Sequence, residues 1–163
     1  MVLLGGLIPA MAQTREQEAD LKAVFIYNFT RYVEWNVNQN ESEFIIGIVG
    51  NSAIDKPISQ IAKTNTVNSK RIIIKHFSRP EDISYCHILF IPSGRAVDTK
   101  TILDNVDKGT LTIGDGADMA RNGACLNFVL SNDKLKFEAN LNALAIAGLK
   151  ASSQLLKLAI IVN

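Results

Sequence analysis

The stretch that decides the fold is FIIGIVG, residues 44–50, a near-continuous apolar run. Such a run is typical of a strand that is buried on both faces, as in parallel sheets. Two similar runs follow, RIIIKHF at 71–77 and HILFIP at 87–92, and a shorter one, LTI, lies at 111–113. Because stretches with helical patterns separate these runs, the sequence predicts α/β layers around a mainly parallel sheet.

A hairpin is predicted after these four strands. Residues 125–130 and 135–139 form two strand-like segments with alternating faces, and the turn-forming sequence SNDK lies between them at 131–134. The predicted fold is therefore a single layered α/β domain. It has a mixed, mainly parallel sheet of about five to six strands, helices on both faces and a late β-hairpin.

An aromatic helix is expected ahead of the sheet and two more helices at the end of the chain. The first begins at a capping box, Thr14 followed by Gln17, and continues to Trp35. The last two occupy 141–149 and 154–162, with Ser152 or Ser153 as the N-cap of the final one.

The aromatic helix and the final helix carry more apolar side chains than one buried stripe accommodates. Some of these side chains therefore belong to the core, and the rest form an exposed patch of the kind that marks a binding surface. The candidate partner-binding residues are Phe25, Phe29, Tyr32, Trp35, Leu155 and Leu158.

Length and charge exclude several classes of protein. The 163 residues fit one domain, and 17 basic against 16 acidic residues give a net charge of +1. Such a balance creates no field that attracts nucleic acid, so no nucleic-acid partner is expected. No apolar run after the N-terminal leader reaches membrane-spanning length.

The first residues resemble an export signal. A short apolar run at 2–8 is followed by Ala10, Met11 and Ala12, a small-x-small pattern that signal peptidase accepts. No basic residue precedes Arg15, so this signal lacks its usual basic start. We expect a truncated signal peptide at 1–12, a single domain at 13–163 and a location outside the cytoplasmic membrane.

The two cysteines, Cys86 and Cys125, allow two interpretations. In an oxidising compartment they form a disulfide, and otherwise they are two small buried side chains on separate strands. Two cysteines with no C-x-x-C pair do not make a metal site.

No catalytic constellation is found. Cys86 and His87 are neighbours on a predicted strand, so their side chains point to opposite faces and cannot share a proton. No metal or cofactor is expected. The alternative to a partner-binding protein is a solute-binding module, with its ligand at the carboxyl ends of the strands near Gly50, Ser93 and Asp115.

Several separated blocks resemble the YfiR/HmsC-like family of small periplasmic regulators. In chain order they are KAVFIYNF at 22–29, VEW at 33–35, CHILFI at 86–91, LTI at 111–113 with Gly123, FEAN at 137–140, AGL at 147–149 and SSQLLKLA at 152–159. These blocks cover nearly the whole chain after the leader, in the family's order.

The resemblance implies a non-enzymatic periplasmic domain, often a homodimer. It implies a partner as well: a membrane-bound sensor protein, a diguanylate cyclase, whose periplasmic portion the domain binds to repress output. Release of the repressor would raise cyclic di-GMP and favour biofilm. Some members carry two disulfide pairs, whereas this chain holds only Cys86 and Cys125, one from each pair, so a redox-gated switch is not expected here.

Overall fold

A computed structural model describes residues 10–36 and 41–163. The predicted leader at 1–12 lies outside the described residues except for Ala10–Ala12. The helices within these ranges are α1 (Ala10–Phe29), α2 (Asp55–Thr64), α3 (Thr99–Asp104), α4 (Leu141–Ile146) and α5 (Ser153–Leu158), with short 3₁₀ helices at Pro80–Asp82 and Ser93–Asp98. The strands are β1 (Val33–Glu34), β2 (Glu43–Val49), β3 (Thr66–Val67), β4 (Lys70–Phe77), β5 (Ile88–Ile91), β6 (Leu111–Gly114), β7 (Leu126–Ser131), β8 (Lys134–Asn140), β9 (Lys150–Ala151) and β10 (Ile160–Val162).

The main sheet confirms the predicted mixed α/β fold. Its strand order is β10-β8-β7-β6-β5-β2-β4-β3, and β1 pairs separately with β9. The pairs β4·β2, β2·β5, β5·β6, β6·β7 and β8·β10 are parallel, whereas β7·β8 and β3·β4 are antiparallel. The described sheet has eight strands, more than predicted, because the short strands β3 and β10 extend its two ends.

The predicted hairpin is confirmed as β7 and β8. Asn132 and Asp133 connect the strands with positive φ values of 51° and 59°. Two consecutive residues in this region form the turn whose twist matches that of paired strands, and asparagine and aspartate tolerate it.

Two hydrophobic clusters lie on opposite faces of the sheet. Alternate residues of β5 point into different clusters: Ile88 and Phe90 belong to the larger cluster, and Leu89 and Ile91 belong to the smaller one. The larger cluster takes side chains from α1, α2, α4 and α5, and the smaller one takes Ile102 from α3. Helices therefore cover both faces, and strands buried on both sides explain the near-continuous apolar runs of the sequence.

The first helix differs from its prediction at both ends. It begins at Ala10, so Thr14 lies inside it and is not its N-cap. It ends at Phe29, where Thr30 Oγ1 donates a hydrogen bond to the Tyr27 carbonyl at 2.6 Å and the backbone tightens into i→i+3 bonds. The chain then leaves the helix to form β1, so Trp35 lies beyond it.

The end of the chain is a strand rather than the predicted helix. Helix α5 stops at Leu158, and Ile160–Val162 form β10, parallel to β8. Three successive β-branched residues favour extended backbone over helix, which explains the difference. The expected N-cap is confirmed, since Ser152 Oγ accepts a hydrogen bond from the Leu155 N–H at 3.2 Å. Within the described ranges, no helix combines the length and apolar character that crossing a bilayer requires.

Candidate functional site

The topology of the sheet creates a cleft at the carboxyl ends of its central strands. Strand β2 connects through α2 to β4 on one side, whereas β5 lies on the other side of β2. The loops that leave β2 and β5 therefore diverge, and ligands of open α/β sheets bind at such a switch point. A cavity of about 710 Å³ is found here, and Gly50, Ser93 and Asp115 all line it. We call it the carboxyl-edge cleft.

A buried lysine forms one wall of the carboxyl-edge cleft. Lys22 lies on α1 with its side chain one-tenth exposed, and its ammonium group is 2.8 Å from Asp115 Oδ1 and 2.9 Å from Oδ2. Glu18, one turn earlier on α1, contacts the same ammonium group. Burial lowers the pKa of Lys22, but hydrogen bonds and charge from Asp115 and Glu18 outweigh it, so the pKa is raised. Lys22 is therefore a cation at neutral pH.

Most other charges near this cleft are also paired within the chain, although Arg15, which lines the cleft, forms no ion pair among the described residues. Arg95 donates to Asp98 Oδ2 at 2.9 Å and to the Ser78 carbonyl at 3.3 Å. At the start of α2, the Asp55 carboxylate accepts from the Ser52 N–H at 3.0 Å and lies 2.7 Å from His76 Nε2. The cleft therefore presents few unsatisfied charges to a ligand.

The predicted partner-binding residues fall into three environments. Phe29 and Leu155 are buried in the larger cluster. Phe25 and Trp35 are half-buried against that cluster, Phe25 with its ring 6.0 Å from those of Phe29 and Phe128. Only Tyr32, at 36% exposure, and Leu158, at 72%, reach the surface as exposed apolar residues.

The exposed apolar surface that results is mostly aliphatic. Leu158 is followed by Ile160 and Ile161, which are exposed on β10, the last strand at one end of the sheet. We call these three residues the α5–β10 surface.

The segment that carries Tyr32 is fixed to the start of α5, because the Ser152 N–H donates to the Tyr32 carbonyl at 2.8 Å and β1 pairs with β9.

Both cysteines are free thiols and are buried. Cys86 belongs to the smaller cluster and Cys125 to the larger one, so they lie on opposite faces of the sheet. Burial raises the pKa of Cys86 to about 12 and also raises the pKa of Cys125. Neither is a reactive thiolate at neutral pH.

No group of three or more His, Cys, Asp or Glu side chains that could hold a metal ion is found in the part of the chain that the structure describes. Cys86 and His87 point to opposite faces, as the strand periodicity predicts: the His87 ring stacks on Phe44 in the larger cluster at a centroid distance of 4.5 Å.

Sequence reasoning missed two features of the buried polar residues: the burial of Lys22 and the surroundings of His87, whose burial on a strand it expected. Lys22 was detectable, because it falls on the helical stripe that Ala19, Ala23 and Ile26 define as the buried side of α1. A lysine on such a stripe requires a buried partner. The surroundings of His87 depend on contacts between distant segments, which no local pattern reveals.

Comparisons with known proteins agree with this geometry. A family model described as YfiR/HmsC-like matches residues 19–160. A conserved domain protein from Vibrio cholerae has a similar structure, with a TM-score of 0.61 and 10% identity over 89% of this chain. This chain spans 60% of the length of the Vibrio protein, and at this identity the similarity shows the fold alone. No curated protein sequence matches the chain.

Proposed function

The chain belongs to the YfiR/HmsC-like family, a family of periplasmic regulators without catalytic activity, and on that premise we propose that it is a repressor or adaptor of periplasmic signalling. It binds the periplasmic sensor portion of a membrane-bound diguanylate cyclase, or of a related sensor enzyme, and restrains its output.

The observation that carries this proposal is the α5–β10 surface. Leu158 on α5 and Ile160 and Ile161 on β10 are exposed, and within residues 10–36 and 41–163 the strand β10 pairs with β8 alone. Successive strand side chains point to opposite faces, so Ile160 and Ile161 lie on the two sides of this edge. Exposed apolar side chains of this kind mark surfaces that a partner covers. The open edge of β10 supplies backbone N–H and C=O groups that an extended segment of the partner can pair with.

The mechanism is stoichiometric binding. A repressor shifts a sensor between active and inactive states only through the difference in its affinity for the two, and a tenfold difference corresponds to about 1.4 kcal/mol. The partner state that presents an apolar face to the α5–β10 surface is therefore the inactive one.

Deletion of the gene for this chain from its own organism tests the proposed function. We expect cyclic di-GMP to rise after deletion and to return to its original level when the exported chain is restored. Restoration by a version retained in the cytoplasm would contradict a periplasmic site of action.

Two further predictions concern the exported chain itself. Its expected N-terminus is Gln13, which Edman sequencing of periplasmic protein checks. The homodimer implied by the resemblance stays a prediction that sedimentation velocity measures.

A second candidate function is solute binding, supported by the convergence of Gly50, Ser93 and Asp115 on the carboxyl-edge cleft. A thermal-shift screen against amino acids and nucleoside monophosphates tests it. Saturable stabilisation that Ser93→Val abolishes and Leu158→Asp leaves intact would favour a solute-binding module over a partner-binding one.

A further inference from the structure

A second cavity lies at the opposite edge of the sheet, where the end of α1 meets the starts of β2, β4 and β5. Its volume is about 440 Å³, within the range of small-molecule sites. Its lining includes Arg31, Trp35, Phe44, Lys70 and His87. We call it the amino-edge pocket.

Aromatic rings with fixed orientations form one side of the amino-edge pocket. The Phe44 ring stacks on His87 at 4.5 Å, and the Trp35 ring meets Phe44 edge-on at 5.3 Å and 90°. Trp35 Nε1 donates to the His87 carbonyl at 2.9 Å, which holds the indole in place. The pocket therefore offers a rigid apolar wall to a ligand.

His87 supplies an unused hydrogen-bond donor. Its ring is buried, and Nδ1 accepts a hydrogen bond from the Ile45 N–H at 3.0 Å. Burial lowers the pKa of His87, and the charge of Lys70 lowers it further against the opposing effect of Glu41, so the ring is neutral at neutral pH. With Nδ1 as acceptor, the neutral ring carries its proton on Nε2.

That donor has no acceptor at an ordinary hydrogen-bond distance. Nε2 is buried without a hydrogen-bond partner among the described residues. The nearest carboxylate oxygen, Glu41 Oε2, is 3.4 Å away, longer than an ordinary N–H···O bond. A buried donor without a partner costs free energy, which a ligand that supplies an acceptor recovers.

Lys70 is the cation that the amino-edge pocket leaves without a partner. Arg31 and Lys70 form no ion pair with any residue in the described ranges, but Arg31 stacks over the Tyr27 ring. Glu34 lines the pocket and Glu41 lies beside it, so two anions balance the two cations. Lys70 is therefore the charge available to a ligand's carboxylate, which has to displace Glu41 from His87.

We propose that the amino-edge pocket binds a small aromatic carboxylate, with the carboxylate at His87 Nε2 and Lys70 and the ring against Trp35. A carboxylate provides the acceptor that Nε2 lacks and the charge that Lys70 lacks. Glu41, the chain's own carboxylate, competes for the same donor. The site is separate from the α5–β10 surface and does not depend on the identity of a protein partner.

Calorimetric titration of the full chain with 2-naphthoate tests the proposal. We expect saturable binding at least about tenfold tighter than that of 2-naphthamide, which lacks the negative charge, or of acetate, which lacks the aromatic ring. His87→Asn keeps an acceptor for the Ile45 N–H but removes the Nε2 donor, and Lys70→Gln removes the charge. Each should weaken 2-naphthoate binding roughly tenfold. Glu41→Ala should strengthen it roughly threefold by removing a like charge.

Matched controls are the other histidine and a second lysine of β4. His76→Asn and Lys75→Gln should leave 2-naphthoate binding unchanged. Nitrogen-detected NMR of the unmodified chain needs no variant: on titration, the ring signals of His87 should shift and those of His76 should not. Absence of binding, equal binding of 2-naphthamide, or full affinity in Lys70→Gln would overturn the proposal.

Discussion

The carboxyl-edge cleft and the α5–β10 surface differ in how many of their interacting groups have partners within the chain. In the cleft, Lys22 is paired with Asp115 and Glu18, and Arg95 is paired with Asp98. On the α5–β10 surface, apolar side chains lie next to a strand edge that no other strand of the described residues pairs with. Charges that are paired within the chain contribute mainly to stability, whereas exposed apolar side chains and an open strand edge are available to a partner. The difference supports our proposal that the surface, rather than the cleft, binds the partner.

The largest expected effect tests where the core ends and the surface begins. Phe29→Ala removes a buried ring that contacts those of Phe128 and Phe137, and it should lower the free energy of unfolding by about 4 kcal/mol. Urea unfolding followed by circular dichroism measures the change.

Tyr32, three residues later, is the matched control for Phe29. Tyr32→Ala should cost less than about 1 kcal/mol, because its side chain is exposed. Equal losses for the two variants would mean that Tyr32 also belongs to the core and cannot contribute to a binding surface.

The next effect tests whether the cleft is built for stability. Lys22→Met leaves Asp115 and Glu18 without their cation in a largely buried setting, and we expect a loss of about 3 kcal/mol in urea unfolding. Lys100→Met removes an exposed partner of Asp104 and should change little. A Lys22→Met chain with the same free energy of unfolding as the original chain would contradict a stabilising role of this ion pair.

A smaller expected effect is the pH dependence of the stability that Lys22 contributes. Because the folded-state pKa of Lys22 is raised, its contribution is complete below the unfolded value near 10.5 and is lost as pH increases through the folded value. The stability difference between the original chain and Lys22→Met should therefore be constant from pH 7 to pH 9 and shrink near pH 11. A difference that stays constant up to pH 11 would contradict the raised pKa.

The two regions also differ in how well the sequence predicts them. The apolar runs at 44–50 and 87–92 identify central strands because burial on both faces leaves little choice of residue. Gly50, Ser93 and Asp115 were expected to converge because each follows such a strand, and the carboxyl ends of parallel strands share one edge.

The α5–β10 surface was harder to predict. Its helical spacing suggested one helix through Val162, although three β-branched residues favour a strand there. Whether Leu155 or Leu158 faces the core depends on where α5 packs, which the spacing alone does not specify. For the same reason, local pattern could not separate the buried Phe29 from the exposed Tyr32.

Binding through the α5–β10 surface is most directly tested by one pair of variants in cells that lack the gene. Leu158 and Ile146 are each the last residue of a six-residue helix, with exposures of 72% and 73%. Both Leu158→Asp and Ile146→Asp should fold, and we expect Ile146→Asp to restore low cyclic di-GMP while Leu158→Asp leaves it high. Full restoration by a folded, exported Leu158→Asp chain would contradict the assignment of this surface to partner binding.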